Sequence, residues 1–437
     1  MNIPKYLTGL AMLFTIGACT GGNPAGDGAA MNAIAERYVK LALRIGQHDP
    51  GYIDAYYGPP EWSKAAEQDP GTLADARMEA EELLAELNRM VPASDADEMD
   101  RLRHTYLVKQ LQSAVARIGM LEGTKLSFDE EAKALYDATP PTYDEAHFQG
   151  LVDAVSAALP PGDGPLNERF TKFREAFVIP PEKLDTVFTA AIEECKRRTA
   201  KYIQLPAGEE FTVEYVTDKP WGGYNWYQGN SRSLIQVNTD LPIHIDRAVD
   251  IACHEGYPGH HVYNSLLESK LARERGWVEF TVYILFSPQS LVAEGTANYG
   301  IDMAFPGKER QAFERKALFP LAGLDSSEVD QYYRVEDLAA KLAYAQNEAA
   351  RAYLNGDIDS DSAAGYMSRF ELMDKARAAK SVQFIDVYRS YVINYNYGKD
   401  LVRQYAEREA GPDATEDQRW AVYRQLLSSP RLPSGLQ

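Results

Sequence analysis

Apolar residues at helical spacing run through most of this chain, and the pattern is interrupted only once. Ile34, Tyr38, Leu41 and Ile45 recur at steps of four, three and four, and Leu107, Leu111, Val115 and Ile118 form a second stripe. Thr72 with Asp75, and Ser127 with Glu130, have the spacing of capping boxes that start helices. This texture holds from 31 to about 204, apart from the Pro- and Gly-rich loop at 160–165. It resumes after 245 and predicts helices over 246–270, 288–303, 328–355, 361–376 and 383–408. At 205–240 it changes. Phe211, Val213 and Tyr215 alternate as in a strand, and Leu234 to Asn238 reads as a second strand. The stretch between them, 221–230, reads as a loop of glycines and aromatics. The fold class that follows is mostly α, with a small β-sheet preceding the helix that begins near 246. The 31–204 helical region and the 205–437 region are expected to form one continuous unit.

Acidic residues outnumber basic ones by 64 to 45, a formal charge of -19, so no nucleic-acid partner is expected. No Gly-rich strand–loop–helix or GK[ST] pattern is present, which removes nucleotide binding. The N-terminus reads as a targeting segment over 1–18. Lys5 precedes a short apolar stretch, Tyr6 to Ile16, too short to span a bilayer. Ile16-Gly17-Ala18-Cys19 then resembles a bacterial lipobox, which implies cleavage before Cys19 and a lipid on it. An ordinary signal peptide with a chance cysteine is the alternative. Residues 19–30 read as a flexible tether between a membrane anchor and the folded part. The expected location is the cell envelope, outer membrane or periplasm-facing rather than cytoplasm. Of the three cysteines, only Cys195 and Cys253 then remain, too few for a disulfide scaffold. Cys253 is expected as a small buried apolar residue.

The chemistry concentrates in Asp250-Ile251-Ala252-Cys253-His254-Glu255-Gly256-Tyr257-Pro258-Gly259-His260-His261, which holds three of the seven histidines. A zinc peptidase needs two imidazoles on one ion and a carboxylate beside the first, aimed at the metal's water. On a regular helix, His254 and His260 would point about 240° apart. His254 and His261 would share a face but stand about 10 Å apart along the axis. Pro258-Gly259 supplies a break, since proline removes the N–H that would bond the His254 carbonyl and glycine permits an unusual backbone. A two-residue bulge would bring His260 into the ligand position. His261 would need a three-residue bulge and ranks second, with a supporting or substrate-facing role as the other option. A polar helix end with solvated histidines is the bland alternative.

A third ligand is expected from the helix that Ser287-Pro288 begins. Glu294 stands there among small and apolar residues, where a carboxylate needs a cation. Zinc would meet that need; so would an Arg or Lys. Asn298, one turn on, could orient a ligand. Two His and one Glu with a position left open is a catalytic zinc arrangement. Arg232, beside the second strand, is a candidate for a substrate carboxylate, with a solvated arginine as the plainer reading. The second strand itself could pair with an extended peptide.

His254-Glu255-Gly256-Tyr257-Pro258-Gly259-His260 resembles the HExxPGH motif of a bacterial family, often lipoproteins, known as domain of unknown function 885. Glu294-Gly295-Thr296-Ala297-Asn298-Tyr299 is similar to that family's EGWALY segment, and Tyr391 to Gly398 to its PGQALAYxxG segment, with Tyr395 and Gly398 in matching places. The likeness spans roughly 230–400. It departs at Tyr263, where the family carries Gln, and in lacking the PGQ triplet. The resemblance implies kinship with helical gluzincin metallopeptidases. The expected activity is therefore hydrolysis of a peptide by Zn²⁺ held on His254, His260 and Glu294. Glu255 would act as general base on the metal's water, and Tyr395 would stabilise the oxyanion, unless it is a core tyrosine. The rival expectations are a zinc hydrolase of a non-peptide or cell-wall amide, and a non-catalytic metal-binding lipoprotein.

Overall fold

The computed structural model describes residues 24–437. Cys19, the segment 1–18 and the start of the expected tether lie outside the described residues. From Pro24 onward the chain is helical, so 24–30 belong to the helix Pro24–His48 rather than to a tether. The protein is mostly α-helical, and its strands form two small sheets. Both expected capping boxes are present. Thr72 and Asp75 open the helix Leu73–Arg89, and Ser127 and Glu130 open Phe128–Tyr136, each side chain bonding the other residue's backbone N–H.

The larger sheet has three strands, β2 (Glu210–Val216), β3 (Gly223–Gly229) and β4 (Arg232–Asn238). Its order is β2-β4-β3, with β2 parallel and β3 antiparallel to β4. The expected Gly-aromatic loop is thus itself a strand. Tyr224 and Trp226 face Gln236 and Leu234 across the pair, and aromatic side chains favour such a pleated surface. Asn230 and Ser231, both at positive φ, make the two-residue turn that joins β3 to β4. β4 is consequently central and has no free edge for a peptide; the edges of this sheet belong to β2 and β3.

The second sheet was not foreseen. β1 (Ile53–Tyr56) pairs antiparallel with β5 (Val282–Ile284), with a bulge between Ile53 and Ala55. One strand comes from each half of the chain. A single apolar core accordingly runs from Met31 to Leu436. A smaller cluster around Phe148, Val335 and Phe370 sits beside it.

The C-terminal helices are divided differently from the expected 361–376 and 383–408. They are Ser360–Phe370, Lys375–Tyr388 and Ile393–Ala410, followed by a further helix, Glu416–Leu427. Asp374 starts the middle one by accepting from the N–H groups of Ala376 and Arg377. At the start of Pro288–Ala304, Ser287 stands in the cap position, but its hydroxyl donates backward to the Ile284 carbonyl at 2.7 Å. The helices Pro288–Ala304 and Ile393–Ala410 cross with their backbones in contact. A Cβ on Gly295 would lie 2.4 Å from the Gly398 carbonyl oxygen, so only glycine fits that crossing. The crossing sets Tyr391 and Tyr395 beside Glu294. Cys253 is fully buried, with its Sγ 2.6 Å from that of Cys195.

Candidate metal and active site

The histidine segment is two helices rather than one kinked helix. An α-turn, Asp246–Ile251, widens into a π-helical turn, Ala252–Gly256. Tyr257 is extended, the Tyr257–Pro258 peptide is cis, and a new helix, His260–Leu267, begins at once. The Tyr257 N–H donates to the Ala252 carbonyl and the Gly259 N–H to that of Cys253, at 3.1 and 2.9 Å. A Cβ on residue 259 would stand 1.8 Å from the His254 carbonyl oxygen, so the turn closes only on glycine. His260 is thereby the first residue of its helix and faces back toward His254, their Nε2 atoms 3.2 Å apart.

Glu294 completes the group. Its Oε2 lies 3.1 Å from His254 Nε2 and 3.6 Å from His260 Nε2. That oxygen is buried and in hydrogen-bonding alignment with neither ring. Four ligands held tetrahedrally about 2.0–2.1 Å from zinc stand about 3.3 Å from one another. The three observed separations bracket that value, so these residues fit a zinc ion. Among the described residues no Lys or Arg pairs with Glu294, which removes the ion-pair alternative there. Its other oxygen, Oε1, accepts from the Tyr391 hydroxyl at 2.7 Å. Burial alone would push the Glu294 carboxyl up; the two imidazoles more than offset this and hold it well below the usual carboxylate range. Burial likewise disfavours a charged His260, but the adjacent Glu294 carboxylate wins and lifts it to about 9. His254 Nδ1 meets Asn298 Oδ1 at 3.2 Å, and Asn298 Nδ2 donates to the Tyr395 carbonyl at 3.2 Å. An N–H on Nδ1 frees Nε2 to bind an ion.

Glu255 presents a carboxylate oxygen that lies with a ring nitrogen of His254 and one of His260 in a group within 4.8 Å of one another, so it stands beside the triangle that Glu294 completes. Burial raises its carboxyl, with the neighbouring imidazoles opposing. Asn225 on β3 fixes the segment by donating to the Glu255 carbonyl at 2.6 Å. Tyr395 lies with its ring centroid 6.4 Å from that of His254, lining the same cleft. The cleft has a volume of about 1330 Å³ and runs past residues 220–225, which lead into β3.

Two expected residues lie elsewhere. His261 is fully buried behind the turn, with Nδ1 2.9 Å from Ser233 Oγ and Nε2 3.0 Å from Glu209 Oε2. Glu209 also takes hydrogen bonds from Tyr257 and an ion pair from Lys196. Burial pushes its carboxyl up, but these partners prevail and lower it to about 2. His261 thus pins the turn to the sheet and meets neither the ligands nor the cleft, because consecutive residues on a helix point about 100° apart. Arg232 is exposed and pairs with Glu210 on the neighbouring strand at 3.1 Å, away from the cleft.

Two residues at the site had not been singled out. Tyr391 escaped notice because a tyrosine on an apolar helix face reads as core. The other is Asp54, on β1 in the other half of the chain. The β1 bulge falls at this residue, and its side chain lines the cleft, where Tyr224 donates a hydrogen bond to it. Burial pushes Asp54 up to about 7, with His260 opposing and Glu294 and Glu255 adding to the rise. Its one sequence signal is an acid inside a short strand pattern.

No protein-family model and no curated protein matches the chain. Among solved structures, it is similar to a candidate lipoprotein of Colwellia psychrerythraea, at 14% identity over 84% of this chain and 68% of that one, with a TM-score of 0.49. It is also similar to the carboxypeptidase of Pyrococcus furiosus, at 11% identity over 91% and 89% of the two chains, with a TM-score of 0.42. An M32 carboxypeptidase from Deinococcus radiodurans matches at 13% identity over 94% and 93%, with a TM-score of 0.36. At TM-scores under 0.5 none of these likenesses bears on what this chain does.

Proposed function

We propose that this chain is a zinc-dependent peptidase of the cell envelope, tethered through a lipid on Cys19. The observation that carries the reading is the triangle of His254 Nε2, His260 Nε2 and Glu294 Oε2, with sides of 3.1 to 3.6 Å and, among the described residues, no lysine or arginine paired with the carboxylate. Zinc held there would polarise a scissile carbonyl. Glu255 would take a proton from the attacking water and hand it to the leaving amine, a task its upward-shifted carboxyl suits. Tyr395 would donate to the developing oxyanion from across the cleft. Asn298 and Tyr391 hold His254 and Glu294 in place, so the ligands need not reorganise. The open edge of β3 offers backbone groups to an extended peptide, and a cleft of about 1330 Å³ has room for several residues of one.

Among the described residues no helix is long and apolar enough to cross a membrane. Metal analysis of the purified protein tests the reading. We expect about one zinc per chain, lost in His254→Ala. In a peptide-library assay Glu255→Gln is expected to keep its zinc and lose turnover by at least about 100-fold. A wild-type chain that takes up no zinc, or a Glu255→Gln variant that still turns over, overturns it.

A further inference from the structure

Asp54 has no use in the chemistry just described, yet it is built into the cleft. The β1 bulge falls at this residue, and bulges re-aim side chains next to functional sites. Its carboxylate takes a hydrogen bond from Tyr224, whose ring stacks on Trp221 with centroids 5.2 Å apart. Tyr283, which pairs with Ala55 across the two strands, is 7% exposed and lines the same cleft, and its hydroxyl is buried without a hydrogen-bond partner. Among the described residues no Lys or Arg forms an ion pair with Asp54, although most buried acids here have one. Asp54 shares the cleft with Glu255 and Glu294, in a place lined by Tyr224, Trp221 and Tyr283, and aromatic faces favour cations.

We propose that Asp54 is the recognition site for an ammonium group of the substrate, either a free α-amino terminus or a basic side chain. This deepens the peptidase reading and rests on it for the nature of the substrate. The cation would pair with the Asp54 oxygen that Tyr224 does not occupy, with the Tyr283 hydroxyl as a second acceptor. The scissile bond would then lie near the positive charge, because Asp54 lines the same cleft as His260, Glu294 and Glu255.

The test is binding, measured by calorimetry on the full chain carrying Glu255→Gln and loaded with zinc, so that ligands are not consumed. Three probes separate the sources of charge: trialanine amide, N-acetyl-trialanine amide, and N-acetyl-Ala-Lys-Ala amide. We expect one of the two cationic probes to bind at least about tenfold tighter than the neutral one, the usual strength of a charge-assisted hydrogen bond. The probe that does so tells a terminus site from a side-chain site. In the further variant Asp54→Asn that ratio should fall to near one, while Asp54→Glu should keep part of it. Tyr224→Phe, which leaves the acid in place but unheld, should lower the ratio several-fold and serves if Asp54→Asn does not fold. A parent without preference for either cation, or a preference that survives Asp54→Asn, overturns the assignment. Preference for a cation in a wild-type chain that never cleaves peptides would retain the Asp54 site and remove the peptidase reading. Cleavage without that preference would do the reverse.

Discussion

Replacing Gly259 by alanine adds one methyl group at the point where the two ligand-bearing helices meet. The new carbon would lie 1.8 Å from the His254 carbonyl oxygen and 2.5 Å from that of Cys253. Carbon and oxygen not bonded to each other stay at least about 3 Å apart, so the backbone at His254 must retreat by more than about 1 Å. No side chain can yield instead, because both obstacles are backbone. His254 and His260 sit on either side of the clash, so the relief moves one imidazole against the other. Displacements of about 1 Å at a site typically cost about 100-fold in function, and overpacking costs about 1–3 kcal/mol in stability. We therefore expect Gly259→Ala to fold with a lowered unfolding midpoint and to bind zinc at least about 100-fold more weakly, read by competition with a chromogenic chelator. Gly365→Ala is the control. It lies exposed in the helix Ser360–Phe370, a Cβ there meets nothing within 4 Å, and a small gain in stability is expected. Wild-type zinc affinity in Gly259→Ala would refute the claim that this turn sets the ligand spacing.

Tyr391→Phe removes the hydroxyl that holds Glu294 Oε1, and zinc affinity should fall about tenfold with the fold intact by circular dichroism. Glu209 has a folded carboxyl near 2 against an ordinary 4.5, so its contribution to stability is present above pH 4.5 and disappears as pH falls toward 2. Urea midpoints of wild type and Glu209→Gln should accordingly converge on acidification across that window; a constant gap between them would contradict the assignment. Tyr395→Phe, if the hydroxyl meets the oxyanion, should lower kcat by about 10- to 1000-fold with little change in KM.

Much of the fold was legible because helices announce themselves locally. The capping boxes at Thr72 and Ser127, and the apolar steps from Ile34 to Ile45, depend only on residues three or four apart. The histidine pair was legible for the same reason, since a proline and a glycine between His254 and His260 forbid a continuous helix. What replaced it, a π-turn followed by a fresh helix, reflects how the turn packs against the sheet through His261 and Glu209, and no local rule carries that. Strand β3 was hidden because glycines at its ends and a Gly-Gly pair before Tyr224 look like loop, while its pairing with β4 is what makes it a strand. Tyr391 and Asp54 were missed for a simpler reason. Each reaches the site from a distant part of the chain, through the Gly295–Gly398 crossing and the β1–β5 pair. For Asp54 the spacing of residues in sequence carries no information; Tyr391 stands one turn before Tyr395, but nothing local ties it to Glu294.

That β1–β5 pair also governs how this protein can be divided. Residues 205–437 hold every group in the metal triangle and invite expression as a separate catalytic piece. Cut there, β5 would lose its only partner among the described strands and leave a raw edge next to the Glu294 helix. The cleft would also lose the wall that Asp54 provides. The two halves therefore have to be inherited, expressed and exchanged together, and a chimera joined at residue 204 would trade away the part of the cleft wall that runs from Asp54 to Val178.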